Sequence, residues 1–431
     1  VDNASLAKKL VNYTERIGQK ENPGIAKAVK RWGGKARALL SKDGVSLAAA
    51  DKLGATRMLD EWCGVDYGPL AIKEKSAYRF KKKVGHTVRV LYNPANRELA
   101  QKVAEECWRN GAHTLMQENT VKAARTRRLI TPIDSLREFP PLSRAIEETL
   151  DYVIHIDSLE RENWKQGIPV NRFLASAPAS MRVHEIQDRV QTRWVFVGWP
   201  HPGIAKDLGI TPASFKRILD NSIALSYKKE TFDLVWGYYR ALKGTKEIRV
   251  THEDGTDLSF SVKGRKFLCD DAVLSDEDIA GKDVGMNIPC GEIFTAPVET
   301  SANGVLKIPR NITPGHGLAE GIRFVFKNGK VVEYSAEKNE KALDKTFEES
   351  SGDARRIAEL GIGCNRGAEY TNGYTLIDEK ILGTIHIAIG WNLGYGGRNN
   401  SNLHLDFIRP MRGGVLYADG KPVMVDGRIV K

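Results

Sequence analysis

Residues 87–117 read TVRVLYNPANRELAQKVAEECWRNGAHTLMQ. Val88, Val90 and Tyr92 alternate with polar neighbours as in a strand. Asn93-Pro94 interrupts the run, and Leu99, Val103, Cys107 and Trp108 then recur at helical spacing until Gly111. HTLMQ follows as a second strand-like segment. A strand, a helix and a strand joined by short links form the repeating unit of a parallel α/β fold.

The same alternation continues downstream. LSRAIEETL (142–150) is helical, YVIHI (152–156) is an apolar strand, and the segment from Trp194 to Trp199 is another, ahead of a long helical region that closes around Leu242. Upstream, Leu6, Leu10 and Tyr13 mark a helix, Asn22-Pro23-Gly24 breaks it, and two more helical runs lead to Trp62. Beyond residue 246 the texture changes. EIRVTHEDGTDLSFSV and RFVFKNGKVVEY are hairpin patterns turning at Asp254-Gly255 and Asn328-Gly329, and a helix is expected around residues 338–359. The expected fold class is therefore α/β: an N-terminal α/β domain with added helices over residues 1–245, of which 1–85 are a helical elaboration, then a β-rich α+β domain over 246–431. The boundary is expected at Lys243-Gly244-Thr245.

A chain of 431 residues exceeds the size at which one core usually stops growing, which agrees with two domains. At 41% hydrophobic and 28% charged it has the material for packed cores and is not a disordered polypeptide. No window approaches the roughly 18 apolar residues of a membrane span, and the first residues lack the apolar run of a secretory leader. A soluble, cytoplasmic protein without a membrane partner is the expectation. Cys63, Cys107, Cys269, Cys290 and Cys364 are widely scattered, with no close pair of the kind a zinc ribbon or redox motif uses, so reduced structural thiols are expected. The net charge is +11, but acidic residues are interleaved with basic ones along most of the chain. The surplus gathers in segments 27–37, 79–83 and 122–128, none of which carries a nucleic-acid module. A solvated basic face is expected, not a nucleic-acid partner.

Chemistry concentrates near the C-terminus. In LHLDFI, His404 and Asp406 are two apart, and on a strand that spacing sends both to one face while Leu403 and Leu405 take the other. In TIHIAI, Ile385, Ile387 and Ile389 form one face and Thr384, His386 and Ala388 the opposite one. Each histidine taken singly reads as a structural residue. Two such strands a short loop apart, with a carboxylate added, read as a site for a cation. Two glutamates upstream are candidates to extend it: Glu292, at the start of a β-like run in PCGEIFTAP, and Glu359, at the end of a helical stretch in ARRIAELG.

Four motifs, GEIFTAPVETSANG, IAELGIG, DEKILGTIHIAIG and NNSNLHLDFI, in this order and at these separations, resemble the thermophilic-type dimetal aminopeptidases, the family of aminopeptidases T and S. The resemblance is strong over residues 285–410 and collinear from Val88, including GWPHPG. It implies that residues 246–431 are the catalytic domain, with a two-metal centre whose ligands fall on Glu292, Glu359, His386, His404 and Asp406. It implies two divalent ions, which mixed nitrogen and oxygen ligation leaves open among zinc, cobalt and manganese. Two such ions activate a water and polarise the scissile carbonyl, with Glu292 or Glu359 as proton shuttle. The family also has a tyrosine shortly after the GTIH histidine. Leu393 occupies that offset here, and Tyr395, two residues later, is the candidate to assist the oxyanion. Substrates would be short peptides with a free N-terminus, and the assembly a homodimer.

The rival reading keeps the fold and changes the chemistry. His386, His404 and Asp406 alone make a two-histidine, one-carboxylate set suited to mononuclear non-haem iron, as in ring-cleaving dioxygenases. Retention of Glu292 and Glu359 favours the hydrolase. A non-catalytic binding protein would need no such cluster. Of the remaining polar features, His316 reads as a structural turn residue, Gly394-Tyr395-Gly396-Gly397 as a pocket loop without phosphate-cradle context, and Cys290 as a buried thiol.

Overall fold

The computed structural model describes residues 85–430 apart from 158–164, 166, 273–283 and 314. The helical elaboration expected before residue 85, with Leu6, Leu10, Tyr13, Trp62 and Cys63, lies outside the described residues, as do the basic segments 27–37 and 79–83.

Up to Leu242 strands and helices alternate: β1 (Thr87–Tyr92), α1 (Arg97–Arg109), β2 (His113–Glu118), α2 (Val121–Ile130), α3 (Ile133–Arg137), α4 (Pro141–Thr149), β3 (Tyr152–Ile156), α5 (Val170–Val190), β4 (Arg193–Val197), α6 (Pro202–Asp207), α7 (Pro212–Ser226) and α8 (Lys229–Leu242). The helix predicted from Leu99, Val103 and Cys107 is α1, and all three are buried, but Trp108 lies off that stripe and is 49% exposed. The expected long helical region is three helices. Proline opens the first turn of α6 and α7, where its missing N–H costs no bond, and Thr211 caps α7 by accepting from Ser214 N.

From Glu247 the chain is mainly β: β5 (Glu247–His252), β6 (Asp257–Ser261), β7 (Leu268–Asp270), β8 (Gly285–Ile288), β9 (Glu292–Thr295), β10 (Asn303–Thr313), β11 (Gly317–Lys327), β12 (Lys330–Ser335), α9 (Glu340–Glu348), β13 (Ile357–Gly363), α10 (Thr375–Asp378), β14 (Thr384–Gly390), β15 (His404–Pro410), β16 (Gly414–Ala418), β17 (Lys421–Val425) and β18 (Arg428–Ile429). Both hairpins read from the sequence form, β5 with β6 and β11 with β12. Asn328 and Gly329 at the second turn take the positive φ values of 50° and 78° that such tight turns demand.

Three sheets result. The first, in the order β2-β1-β3-β4-β8, is parallel throughout. β8 comes from beyond residue 246 yet pairs with β4, so the chain returns to the parallel sheet after β7. The second has eight strands, β12-β11-β10-β6-β5-β16-β17-β18, and the third runs β15-β14-β13-β9-β7 with antiparallel pairing. The expected helix over 338–359 is shorter. It ends at Glu348, and Glu359, read from the sequence as the end of a helix, stands on β13, a strand with neighbours on both sides. IAELGIG contains good helix formers, but every residue of β13 is buried, and packing between β9 and β14 overrides local propensity.

One apolar cluster packs beneath the antiparallel sheets, with Ile293, Leu360, Ile362, Ile385, Ile387, Ile389, Leu405 and Phe407 among its members. A second fills the space around the parallel sheet. Cys107, Cys269, Cys290 and Cys364 are buried. Among the described residues no helix is long and apolar enough to cross a membrane.

Candidate metal centre

Strand period and register assemble the site. In the third sheet Ala388 of β14 pairs with Glu359 of β13 on one side and Asp406 of β15 on the other. Directly paired residues on neighbouring strands project to the same face, so Glu359, Ala388 and Asp406 form one row. The adjacent row holds Gly361, His386 and Ile408, with Phe294 of β9 paired to Gly361. Glu292 pairs with Gly363 and His404 with Gly390, which places both on that same face. Small residues lie between the polar ones: Gly361, Gly363, Ala388 and Gly390. A side chain at Gly361 would stand 2.1 Å from His386 Nε2, so the imidazole lies across this glycine.

The result is a polar cluster on one face of a sheet whose other face is core. Glu292, Glu359, His386 and Asp406 are buried, while His404 keeps 30% of its side chain exposed at the mouth. His386 Nε2 is 3.3 Å from Glu359 Oε1 and 3.6 Å from Glu292 Oε2. His404 Nε2 is 3.6 Å from Glu359 Oε2 and 3.5 Å from Asp406 Oδ1. Glu359 thus lies between the two imidazoles. His404 Nδ1 donates to the Trp391 carbonyl at 2.8 Å, which leaves the lone pair of the neutral ring on Nε2, facing the carboxylates.

The electrostatics follow from this crowding. Burial alone would depress the His386 pKa, but the Glu359 hydrogen bond and the nearby Glu292 and Asp406 charges raise it to about 9. His404 is raised in the same way, its burial outweighed by Asp406 and Glu359. Asp406 is lowered to about 2, its own burial outweighed by His404 and His386. Without a metal, the imidazoles hold protons because protons are the available positive charge.

The fit to a cation is direct. Glu359, His386 and Asp406 each offer one ligand atom, and these atoms lie within 4.8 Å of one another. Glu292 Oε2, buried beside them, has no hydrogen-bond partner, nor has His386 Nδ1. Carboxylate oxygen and imidazole nitrogen are donors that suit a divalent transition metal.

Tyr395 belongs to a short 3-10 turn, Leu393–Tyr395, that brings its hydroxyl to 3.4 Å from His404 Nδ1 and 3.2 Å from the Trp391 carbonyl. Its ring meets Phe294 and His404 edge-on, and the buried carboxylates Glu359 and Asp406 help burial to hold its pKa well above the usual phenol value. Leu393, at the offset where a tyrosine was expected, does not line the cavity, whereas Gly394 and Tyr395 do.

The cavity above the cluster has a volume of about 260 Å³. Its floor is the polar face of the third sheet. Its opposite wall comes from α5, with His184 and Gln187, and from Trp194 and residues 284–287 around β8. The parallel sheet therefore supplies half of the enclosure. Burial lowers the pKa of His184, whose ring lies 5.1 Å from that of Trp391.

Three participants went unassigned in the sequence. Lys380 has no exposed surface, and its Nζ lies 2.5 Å from Glu292 Oε1, 2.6 Å from Glu379 Oε1 and 3.7 Å from Asp270 Oδ2. Burial pushes the Glu379 carboxyl up to about 8 against the pull of Lys380. All three belong to segments that look like surface loops or a short strand, and the one available signal was the position of Glu379-Lys380 inside the DEKILGTIHIAIG motif. His316 stands 3.0 Å from Glu349, and Cys290 bonds Ser226 through its backbone N–H; neither lines the cavity.

Residues 238–427 match the model of the thermophilic metalloprotease (M29) family. Aminopeptidase T of Thermus thermophilus is 25% identical over 371 residues, covering 76% of this chain and 90% of that protein. The fold is similar to that of wild-type AmpT from Thermus thermophilus, with a TM-score of 0.61 at 22% identity over 81% of this chain and 95% of the other. It is also similar, at a TM-score of 0.54 and 17% identity, to 2,5-dihydroxypyridine dioxygenase from Pseudomonas putida KT2440, over 80% and 92% of the two chains. The part of this chain that carries all five converging side chains lies within residues 238–427, the stretch that matches the thermophilic metalloprotease (M29) model.

Proposed function

We propose that this chain is a metal-dependent aminopeptidase that removes N-terminal residues from short peptides, with Glu292, Glu359, His386, His404 and Asp406 holding the metal. The observation that carries this reading is the convergence of those five side chains, from four neighbouring strands, on one sheet face at the base of an enclosed cavity. Aminopeptidase T, similar along most of the chain, supports the reaction class. A divalent ion bound there supplies a water of lowered pKa and polarises the scissile carbonyl. Zinc, cobalt and manganese all suit the donors.

The protein's own groups supply the rest. Glu292 or Glu359 would accept the water's proton and later donate it to the leaving amine. Tyr395 is the group to donate a hydrogen bond to the developing oxyanion. Asp188, Asp270, Glu292, Glu359, Glu379 and Asp406 line the cavity, and an acidic enclosure favours the α-ammonium of a free N-terminus. At about 260 Å³ the cavity lies just below the usual range of ligand pockets (about 300–1,000 Å³), in keeping with recognition of a chain end. In the two-ion version of this reading Glu359, between the two imidazoles, would be shared, with Glu292 and His386 on one side and His404 and Asp406 on the other. A homodimer or higher homo-oligomer belongs to the same proposal, on the family resemblance, and so does a cytoplasmic location. Likewise proposed is a division of labour in which α5 and Trp194 help to enclose the substrate and residues 246–431 carry the chemistry.

The test is a pair of peptides identical except for N-terminal acetylation, offered to metal-reconstituted protein. Release of the first residue from the free peptide alone is expected. Equal cleavage of both would reject the aminopeptidase reading.

A further inference from the structure

The loop that carries Tyr395 is rich in glycine, with Gly394, Gly396 and Gly397 around the tyrosine, and glycine gives a backbone the widest choice of conformations. Something must select one. We infer that Glu299 and Arg265, which lie outside the metal centre, are positioning residues: together they grip this loop and hold the Tyr395 hydroxyl beside His404. The inference rests on the aminopeptidase reading above and on the oxyanion role it gives Tyr395.

Glu299 is buried in the link between β9 and β10. Its Oε1 accepts from the backbone N–H of Arg398 at 2.7 Å, and its Oε2 accepts from Arg265 Nη2 at 2.6 Å. Arg265 Nη1 in turn donates to the carbonyl of Gly396, the residue after Tyr395. The pair thus closes on the loop through both kinds of backbone group, Arg265 taking a carbonyl and Glu299 an N–H. Both side chains are largely shielded from water, at 13% and 10% exposed, and charge-assisted bonds of this kind are about twice as strong as neutral ones. The grip is itself anchored. Gly329, at positive φ, approaches so closely that a Cβ there would lie 1.7 Å from the Glu299 carbonyl oxygen.

The two ends of the loop are pinned independently. Asn392, with no exposed surface, accepts from Asn399 N–H at 2.8 Å through Oδ1 and donates through Nδ2 at 3.1 Å to the carbonyl of Ala358, next to Glu359. Asn399 Nδ2 donates to the Ile357 carbonyl at 2.8 Å. These bonds tie the ends to β13 and leave the tip at Tyr395 and Gly396 to the Arg265–Glu299 pair and to the ring contacts of the tyrosine itself. Neither Arg265 nor Glu299 lines the metal cavity; with Arg356, Gly396 and Arg398 they line a separate cavity of about 580 Å³. Cutting the pair frees the tip. A shift of about 1 Å in a hydroxyl that must meet a developing oxyanion is enough to cost on the order of 100-fold in turnover.

Turnover of an unblocked dipeptide by the Mn(II)-loaded full chain, with manganese per chain counted by mass spectrometry, tests this. Glu299→Gln breaks the ion pair at constant size, and Arg265→Gln breaks it from the other side. Each is expected to lower kcat about 10- to 100-fold with KM and metal content unchanged. In either background a further Tyr395→Phe change should cost less than about threefold, against about 100-fold in the wild-type chain. Wild-type kcat in either variant overturns the inference, and so does a loss of activity that comes with loss of metal. A Tyr395→Phe loss as large in the variants as in the wild-type chain overturns it too, because Glu299 and Arg265 would then act by another route. If Tyr395→Phe leaves wild-type turnover undiminished, this inference falls while the metal-dependent reading stands; no cleavage by the metal-loaded wild-type chain would remove both.

Discussion

Gly361→Ala is the sharpest perturbation of the site that replaces no proposed ligand. Gly361 lies on β13 directly opposite His386 and is not at positive φ, so alanine is tolerated by the backbone. What changes is space: the new Cβ would stand 2.1 Å from His386 Cε1 and Nε2, where 3.4 Å is ordinary contact, so the ring must move by about 1.3 Å. It is 1% exposed and cannot move into solvent. Displacing an imidazole by that much takes Nε2 off the metal. Losses of about 10- to 100-fold in metal affinity and on the order of 100-fold in kcat/KM are expected, together with a destabilisation of about 1–3 kcal/mol from overpacking. Affinity is read by competition with a chromogenic chelator, activity on an unblocked dipeptide at saturating metal, and stability by urea unfolding of the metal-free chain. A Gly361→Ala protein with wild-type metal affinity would refute the claim that His386 binds through the face it presents across Gly361.

Two further predictions concern protons. Metal uptake should strengthen with pH. An imidazolium has no lone pair to offer, so with His386 raised to about 9 in the metal-free chain, binding at neutral pH must expel its proton. Affinity should climb about tenfold or more per pH unit between pH 6 and 8 and level off only above the pKa values of both imidazoles, about 9 and about 10; an affinity constant between pH 6 and 8, measured calorimetrically, would contradict the assignment. Tyr395→Phe removes a single hydroxyl whose expected role is confined to the transition state. A fall of about 100-fold or more in kcat with KM and metal content unchanged is the outcome expected, and undiminished turnover would return Tyr395 to a packing role against Phe294 and Trp391.

The legible and illegible parts of this molecule divide along physical lines. His404 with Asp406, and His386 within its run of isoleucines, could be placed on faces because strand periodicity is a local property, and β14 and β15 obey it. The parallel sheet was legible for a similar reason, since each βα unit announces itself in consecutive residues. Glu359 was misread because its neighbours favour helix, and only the pairing of β13 with β9 and β14 makes it a strand residue. Lys380 was invisible as a site residue: a lysine beside a glutamate normally reads as solvated surface, and its burial depends on a close approach at Gly363 that no spacing encodes. Trp108, grouped with the core by sequence, is on the open side of α1 because one position along a helix turns a side chain by about 100°. The cavity wall from α5 was equally out of reach, because it depends on how the parallel sheet and the third sheet face each other.

The central claim is that five side chains on one sheet face form a metal centre, and anomalous diffraction from crystals of the Mn(II)-loaded chain tests it most directly. The account predicts anomalous density within coordination distance of the Glu359, His386 and Asp406 ligand atoms. A peak elsewhere, or none at this cluster, would contradict it.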